Sequence, residues 1–329
     1  MGQTHTVIEQ PAQYFQVPGA AGEATLLAWR QRPAEGARRT APAVVYVCGA
    51  TFASEQAVGF RFDGRSWADE LTAAGFEVWA FDFAGYGRSG RYPEMDGAPD
   101  AAAPLGRAPA AASQLERVIR FVSDQRAGGR VNLLAHSWGT MPAGLFAANH
   151  PELVDRLVFF APIVRRAGTA RSDGGDVGAW YPLSVEAQHQ RFVDDVPADH
   201  APVLLDRHFE RWASSYLASE PQRAATGTPT VRTPAGPAVD ILAAWAGELP
   251  YDPGRIHAPL CIVRGEWDSL CTDADVRWLW DALASAPLKR DVKLSKGTHL
   301  LHLEEGRYAL YRETLAFLGK ADSPPTGDH

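Results

Sequence analysis

The sequence of 329 residues predicts an α/β fold, in which helices flank a mostly parallel central sheet. Short apolar runs of strand length alternate with longer stretches of helical periodicity, a pattern typical of βα units. The alternation stops near residue 162 and resumes near residue 260, so both halves of the chain are expected to supply strands to one sheet. The composition, with 46% hydrophobic and 22% charged residues, is ordinary for a globular protein.

The first half of the chain predicts four strands and three helices. Strands are expected at 43–48, 76–82, 130–136 and 155–162, and helices at 65–75, 109–125 and 140–150. Gly75 ends the first helix, the pair Gly128 and Gly129 closes the second, and Pro142 is tolerated in the first turn of the third.

The second half predicts two further strands and a long insertion. Strands are expected at 260–265 and 291–295, and helices at 273–286 and 305–319. The intervening segment, 165–250, is rich in aromatic residues, has helical character over 202–220 and a Pro- and Gly-rich predicted surface loop over 225–238. It is too long for a simple loop and is predicted to pack as a helical cap, although a second domain without a catalytic role stays open.

These assignments divide the chain into three parts. The α/β core comprises 1–164 and 251–320, the cap comprises 165–250, and 321–329 is predicted to be a disordered tail.

Charge and cysteine usage exclude several classes of protein. The formal net charge of −7 argues against a nucleic-acid partner, because such binding depends on clustered Lys and Arg. Secretion is not expected, because residues 1–13 lack a charged stretch followed by an apolar one, and the longest apolar run, 157–164, is too short to cross a bilayer. Cys48, Cys261 and Cys271 fit neither a disulfide framework nor a zinc site. A cytoplasmic protein with no membrane association is therefore expected.

No metal or organic cofactor is expected either. Five histidines are scattered without ligand spacing and are expected to face solvent or to cap helices: His136, His150, His189, His200 and His208. The stretch GYGRSG (85–90) follows a predicted strand, but the residues after it cannot open the helix that a dinucleotide site requires.

Ser137 is the leading candidate for a chemical role. It lies in LLAHSWGTM (133–141), between a predicted strand and a predicted helix, with the small residues Ala135 and Gly139 two positions away on each side. This pattern is typical of a sharp turn that exposes a nucleophilic serine, and the helix that follows directs unpaired N–H groups toward a developing oxyanion. The alternative is an ordinary serine between a strand and a helix.

A serine hydroxyl needs a base, and the base needs a group that fixes its tautomer. Asp268 follows the strand at 260–265, and His299 follows the strand at 291–295, at the carboxyl edge where open α/β sheets place their sites. Asp273 and Asp275 are better explained as the start of the next helix. His302 is the rival to His299, but its position closer to the last helix favours packing.

Several stretches together resemble the α/β-hydrolase fold superfamily over most of the chain apart from the insertion. They are VVYVCGAT (44–51), FDFAGYGRSG (81–90), AHSWG (135–139), GEWD (265–268) and GTHLLHLE (297–304). The resemblance implies a lid-bearing serine hydrolase of the esterase or lactonase type, with the cap inserted after the sixth strand.

By the same resemblance, Ser137, Asp268 and His299 take the triad positions. The backbone N–H groups of Trp138 and Ala50 would form the oxyanion hole, with Thr51 as a further contributor. Cys48 stands where the family usually has histidine, and we interpret it as a small core residue. The residues from Asp82 to Ser89 are assigned to loop architecture.

The expected substrate is a small molecule, a carboxylic ester or lactone with a fairly bulky apolar part. The aromatic residues Phe52, Trp180, Trp212 and Trp245 are candidates for contacting it, although they could instead form the core of the cap. Serine at the turn argues against a dehalogenase or epoxide hydrolase, because those relatives use aspartate there. A homo-oligomer is left open.

Three alternatives to an ester or lactone hydrolase remain open. HSWGT (136–140) resembles the corresponding turn of proline iminopeptidases, and four acids of the insertion could then hold a substrate ammonium: Glu186, Asp194, Asp195 and Asp199. An acyltransferase or carbon-carbon hydrolase would use the same triad. A non-catalytic ligand-binding member of the fold is the third.

Overall fold

An eight-stranded sheet forms the centre of the molecule. The computed structural model describes residues 12–33, 41–126, 128–168, 177–221 and 228–319. The strands of this sheet are β1 (Gln13–Val17), β2 (Leu26–Gln31), β3 (Ala43–Val47), β4 (Glu77–Phe81), β5 (Val131–His136), β6 (Val154–Phe160), β9 (Leu260–Gly265) and β10 (Lys289–Leu294). Their order is β1-β2-β4-β3-β5-β6-β9-β10. The strands from β4 to β10 are mutually parallel, and β2 runs antiparallel to both of its neighbours. The predicted mostly parallel sheet is confirmed.

Helices cover this sheet, and their bounds agree with most of the predicted ones. They are α1 (Trp67–Ala73), α2 (Ala108–Gln125), α3 (Thr140–Asn149), α7 (Asp273–Ala282) and α8 (Arg307–Leu318). A capping box between Ser66 and Asp69 starts the first of them. Strands β3 and β5 are buried along their whole length, which explains why their sequences are mostly apolar and do not alternate between apolar and polar residues.

The first two strands were missed by the sequence analysis, and they make β6 the sixth strand, as the resemblance implied. Strand β1 lies at the edge of the sheet and is mostly exposed, so it has no apolar run. Strand β2 contains the polar residues Arg30 and Gln31. The Arg30 guanidinium packs against the rings of Phe15 and Trp79, 5.1 and 5.0 Å from their centroids, which lets a charged residue occupy a buried strand.

The insertion after β6 contains both helices and a small sheet. Its elements are β7 (Trp180–Ser184), α4 (Val185–Val193), α5 (Asp206–Ala218), β8 (Thr230–Pro234) and α6 (Gly236–Trp245), and the two strands pair antiparallel. The cap was predicted to be helical, so the two-stranded sheet is an addition to that prediction.

The predicted surface loop over 225–238 is wrong from residue 230 onward. Thr230 to Thr233 form most of β8, in which three of the four residues are β-branched and the fourth is Arg232. Arg232 is held in place because its Nη2 donates to the buried carboxylate of Glu220 at 3.0 Å. Pro237 lies in the first turn of α6, a position that proline tolerates.

The described residues contain no membrane-spanning helix and no disulfide bond. No helix in the described ranges is long and apolar enough to span a membrane. The three cysteines are all buried, and none of them forms a disulfide bond. The predicted tail, 321–329, lies outside the described residues.

Candidate active site

Ser137 follows β5 directly and adopts a strained backbone conformation. Its φ is +55°, in the left-handed region that a serine seldom occupies. A short 3-10 turn over 137–139 leads from there into α3, and the Thr140 hydroxyl donates to the Ser137 carbonyl at 2.6 Å. The strand-to-helix turn predicted from the sequence is confirmed.

Gly139 is required because the backbone of the neighbouring strand passes too close for a side chain. A Cβ at this position would lie 2.3 Å from the Cys48 carbonyl oxygen and 2.9 Å from its carbonyl carbon. Both atoms belong to backbone and cannot swing away. The need for a small residue two positions after Ser137 is therefore steric.

Gly139→Ala is expected to lower the free energy of unfolding by about 3 kcal/mol, because backbone must shift to admit the methyl group. Denaturant unfolding measures this. Gly97→Ala is the matched control, since its Cβ would meet only the Glu94 carbonyl oxygen at 3.5 Å, an ordinary contact. Equal stabilities of the two variants would contradict the steric account.

Asp268 and His299 reach Ser137 from neighbouring strands of the same sheet. Asp268 follows β9 and His299 follows β10, so their loops lie at the carboxyl edge where β5 also ends. His299 Nε2 lies 2.7 Å from Ser137 Oγ, and His299 Nδ1 lies 3.0 Å from both carboxylate oxygens of Asp268. The three side chains form one continuous chain of hydrogen bonds.

The surroundings of Asp268 determine which ring nitrogen of His299 carries the proton. Asp268 Oδ1 accepts the backbone N–H groups of Leu270 and Cys271 at 2.9 and 3.0 Å, so the carboxylate is anchored. A carboxylate beside Nδ1 assigns the ring proton to that nitrogen. Nε2 is then unprotonated and can accept the Ser137 hydroxyl proton. All three residues are buried, with exposed fractions of 3% to 6%.

The structure gives His299 and His302 different surroundings. His302 is fully buried, and its ring stacks on Phe52 with centroids 6.2 Å apart. Burial lowers the pKa of His302 to about 3, with a smaller effect from His299. A neutral histidine packed among aromatic rings is the structural role that the sequence analysis favoured for His302.

His136 is a supporting residue, and the solvent-facing or capping role expected for it is wrong, as it is for His208, which is also buried. His136 is buried and immediately precedes Ser137, and its Nε2 donates to the His299 backbone carbonyl at 3.1 Å. Its ring stacks on Phe160 with centroids 4.6 Å apart. His136 thus ties the histidine loop to the serine turn.

Glu304 is a second supporting residue that the sequence analysis missed. Its carboxyl group is fully buried and accepts the Thr298 hydroxyl and, at 3.3 Å, the Thr298 backbone N–H. Burial raises the pKa of Glu304 from its ordinary value of 4.5 to about 7, and the charge of Asp268 adds to this. Glu304 therefore holds the residue next to His299 and is partly protonated near neutral pH.

Glu304→Gln is expected to make stability less dependent on pH. Because the folded pKa lies above the unfolded one, the unfolded chain loses this proton first, and the contribution of Glu304 falls as pH rises from about 4.5 to 7. The wild type should lose about 3 kcal/mol of unfolding free energy relative to the glutamine variant across this window. Denaturant unfolding at pH 4.5 and 8 measures the difference, and parallel profiles would contradict the prediction.

Of the two residues predicted for an oxyanion hole, Trp138 follows Ser137 directly, and Ala50 belongs to a loop that contacts Ser137 through Gly49. A Cβ on Gly49 would come within 3.0 Å of Ser137 Cβ, so the loop after β3, which continues through Ala50, rests directly against the serine. Trp138 is the second residue of the turn over 137–139, where the first N–H groups of a helix have no partner within it. Thr51 has a φ of +82°. A role of these N–H groups in catalysis stays a prediction.

The loop from Asp82 to Ser89 stabilises the loop after β3 through hydrogen bonds. Asp82 Oδ1 accepts both the backbone N–H and the hydroxyl of Ser54 at 2.8 Å, and Ser89 donates to the Asp82 carbonyl at 2.6 Å. Gly87 has no room for a side chain, since a Cβ would lie 2.1 Å from Asp82 Oδ2. These contacts agree with the architectural role assigned to the loop. Cys48 is likewise a packed core residue, and burial raises the pKa of its thiol.

The four aromatic candidates occupy different surroundings. Phe52 and Trp212 pack edge to face with centroids 5.3 Å apart, and Trp212 Nε1 donates to the Gln56 carbonyl at 2.9 Å. Trp180 lies beneath the Arg232 guanidinium, and Trp245 lies beneath that of Arg166. These contacts give each ring a packing partner, and a role in substrate binding stays a prediction.

The fold and this arrangement of residues define a class: an α/β protein with a serine on a strand-to-helix turn and a histidine and an acid at the same edge of the sheet. The family model of the alpha/beta hydrolase fold matches residues 59–306, more than half of the chain. The protein therefore belongs to the α/β-hydrolase fold family.

Proteins whose solved structures share this fold catalyse different reactions. The chain is 16% identical to the thioesterase domain from the curacin biosynthetic pathway, covering 93% of this chain and 100% of that one with a TM-score of 0.63. It is 13% identical to a carboxylesterase structure from the ammonia-oxidizing thaumarchaeon Nitrososphaera gargenis, covering 94% and 100% with a TM-score of 0.62. It is 15% identical to an epoxide hydrolase from Vigna radiata, covering 94% and 98% with a TM-score of 0.62. No curated protein matches the chain. At these identities the likeness establishes the fold alone, so the reaction must be argued from the site.

Proposed function

We propose that the protein is a serine hydrolase that cleaves a carboxylic ester or lactone through an acyl-enzyme. One observation carries the proposal: the unbroken chain of hydrogen bonds from Ser137 Oγ through His299 to Asp268, with heavy-atom distances of 2.7 and 3.0 Å. These distances are those required for a nucleophile, a general base and a group that orients the base.

The proposed reaction begins with acylation of Ser137. The Ser137 oxygen attacks the carbonyl carbon as His299 Nε2 takes the hydroxyl proton, and the N–H groups of Trp138 and Ala50 stabilise the oxyanion. The tetrahedral intermediate then collapses, the bond to the alcohol oxygen breaks, and His299 gives its proton to that oxygen. Asp268 stabilises the imidazolium throughout.

Hydrolysis of the acyl-enzyme repeats these steps with water. His299 removes a proton from the water as its oxygen attacks the acyl carbon, and the same N–H groups stabilise the second oxyanion. The bond to Ser137 Oγ breaks, and His299 returns the proton to the serine. The acid leaves and the starting state is restored.

We also propose that the insertion, 165–250, acts as a cap over the site. Its helices contact the loop that carries Ala50: Trp212 of α5 donates to the Gln56 carbonyl, and Gln188 of α4 donates to the Thr51 carbonyl at 3.4 Å. Phe52 of the same loop supports an apolar contact with the substrate.

The charges of the cap favour an ester hydrolase over an aminopeptidase. An aminopeptidase needs carboxylates that face the site, yet Glu186, Asp194 and Asp199 are exposed on the cap surface. The fourth acid, Asp195, is half-buried, and its Oδ2 accepts the Ser269 backbone N–H at 3.3 Å. The charged side chain of α4 that points toward the loop beside Ser137 is the cation Arg191. A substrate ammonium is thereby disfavoured.

A panel of chromogenic substrates tests the proposal. The wild type should hydrolyse 4-nitrophenyl butyrate or an aliphatic lactone with kcat/KM at least about a hundredfold above that for an aminoacyl 4-nitroanilide. A preference for the anilide would favour the aminopeptidase alternative. Absence of turnover on every member, with ligand binding retained, would favour a non-catalytic binding protein.

A further inference from the structure

Arg191 of α4 lies at the boundary between the insertion and the loop after β3. Its Nη1 donates to Thr51 Oγ1 at 2.5 Å and to Gln188 Oε1 at 2.7 Å. A guanidinium carries five N–H donors, of which Nη1 supplies two. In the described part of the chain, Nε and Nη2 make no hydrogen bond, so one edge of the planar group is unused.

The charge of Arg191 also lacks a counter-ion among the described residues, since both acceptors of Nη1 are neutral. Other partly enclosed arginines do have one: Arg166 pairs with Asp275 at 2.7 Å, and Arg264 pairs with Asp291 at 3.0 Å. Burial lowers the pKa of Arg191, which reflects the cost of holding this cation away from water. An enclosed cation without a partner is unfavourable unless a ligand supplies the anion.

Three tyrosines complete the surroundings of Arg191 without neutralising it. Tyr86, Tyr181 and Tyr216 lie within electrostatic reach of its charge. Burial raises the pKa of each hydroxyl, so all three stay protonated and uncharged at neutral pH. The Tyr86 hydroxyl is buried and has no hydrogen-bond partner in the described ranges. The environment thus consists of one cation and neutral hydroxyl groups.

This cation lies close to the proposed reaction centre. Thr51, which accepts from Arg191, directly follows Ala50 of the proposed oxyanion hole. Burial and two neighbouring histidines lower the pKa of His136, and the charge of Arg191 contributes in the same direction. Arg191 is therefore within electrostatic reach of the residue that precedes Ser137.

We propose that Arg191 binds a carboxylate of the substrate, so that the enzyme acts on esters whose acyl or alcohol part carries an anionic group. The inference rests on the proposed function and narrows its substrate class. The unused Nε and Nη2 donors form the edge that a carboxylate binds with two parallel hydrogen bonds. Phe52 would contact the apolar part of the same substrate.

Two matched pairs of esters test this inference. The first pair is mono-4-nitrophenyl adipate and its methyl ester, which differ in a carboxylate on the acyl part. The second is 4-acetoxybenzoate and methyl 4-acetoxybenzoate, which differ in a carboxylate on the leaving group. In at least one pair the wild type should favour the anionic member by about 30-fold in kcat/KM, the effect of a charge-assisted hydrogen bond.

Variants then assign the preference to Arg191. Arg191→Met should reduce the ratio of kcat/KM for the anionic ester to that for the neutral ester to about one. Arg191→Lys should retain part of this ratio, because the charge remains but the two parallel N–H donors of the guanidinium are lost. Arg207→Met is the matched control, since it removes a charge from an exposed position of α5 that pairs with Asp63. It should leave the ratio as in the wild type. The ratio is the readout because a mere loss of Thr51 positioning would slow both members of a pair equally.

Failure of the anion-site inference and failure of the proposed function give different results. Hydrolysis of the neutral esters without an anionic preference in either pair would overturn this inference and leave the proposed function intact. An anionic preference that survives in Arg191→Met would overturn it as well. If no ester is turned over, the proposed function fails, and calorimetric titration of monomethyl adipate into Ser137→Ala and Ser137→Ala/Arg191→Met decides whether the anion site exists. Equal binding to both variants would overturn it.

Discussion

Ser137→Ala is expected to lower kcat on a chromogenic ester by about five orders of magnitude, because no other group in the proposed mechanism can form the acyl-enzyme. The fold should survive the change. Serine and alanine carry the same Cβ, so the strain at φ +55° is unchanged, and the hydrogen bond lost is the one that the Ser137 hydroxyl donates to His299 Nε2. Initial rates, with unfolding midpoints as the folding control, measure both effects.

A double variant tests whether Ser137 and His299 act as one unit. Residues that act as one unit are not additive, so Ser137→Ala/His299→Ala should be no slower than Ser137→Ala alone. Independent contributions that multiply in the double variant would contradict the coupling that the 2.7 Å contact implies. Retention of activity within about tenfold in Ser137→Ala would contradict the mechanism itself.

Asp268→Asn is expected to lower kcat by about 10⁴-fold at neutral pH with little change in structure. The amide oxygen can still accept the N–H groups of Leu270 and Cys271, so the loop stays anchored. The amide nitrogen, however, is a donor and faces His299 Nδ1, which favours the tautomer whose proton is on Nε2. That nitrogen can then no longer accept the Ser137 proton.

Asp275→Asn provides the matched control for this prediction. Asp275 is also buried, lies seven residues further along, and binds Arg166 and the start of α7. Removal of the Asp275 carboxylate should lower the free energy of unfolding while leaving the hydrogen bonds from Ser137 through His299 to Asp268 in place. Steady-state kinetics on both variants, at equal folded fractions, separate the two expectations. Similar losses of kcat in both would show that Asp268 acts only through folding.

The sequence predicted the three central residues because each follows a strand of the sheet. Ser137, Asp268 and His299 come after β5, β9 and β10, and the carboxyl ends of parallel strands meet at one edge. Local patterns were therefore sufficient to bring residues 131 and 162 positions apart into one site. The choice of His299 over His302 rested on distance to the last helix, and the structure places His299 against Ser137.

The supporting residues could not be found in the same way, because their partners are distant and irregularly placed. Glu304 and Arg191 are ordinary charged residues in the sequence, and only the fold encloses one near Thr298 and the other near Thr51. The strand β8 was missed because its flanking prolines and glycine resemble a loop. Its stability depends on pairing with β7 and on the ion pair between Arg232 and Glu220.

Covalent labelling tests the central claim most directly. The folded wild type is treated with a fluorophosphonate, which reacts with an activated serine, and the intact mass is measured beside that of Ser137→Ala. The account predicts one adduct per chain, formed with loss of fluoride, that maps by peptide sequencing to Ser137 and is absent from the variant. A folded wild type that takes no adduct, or an adduct of equal yield in Ser137→Ala, would contradict it.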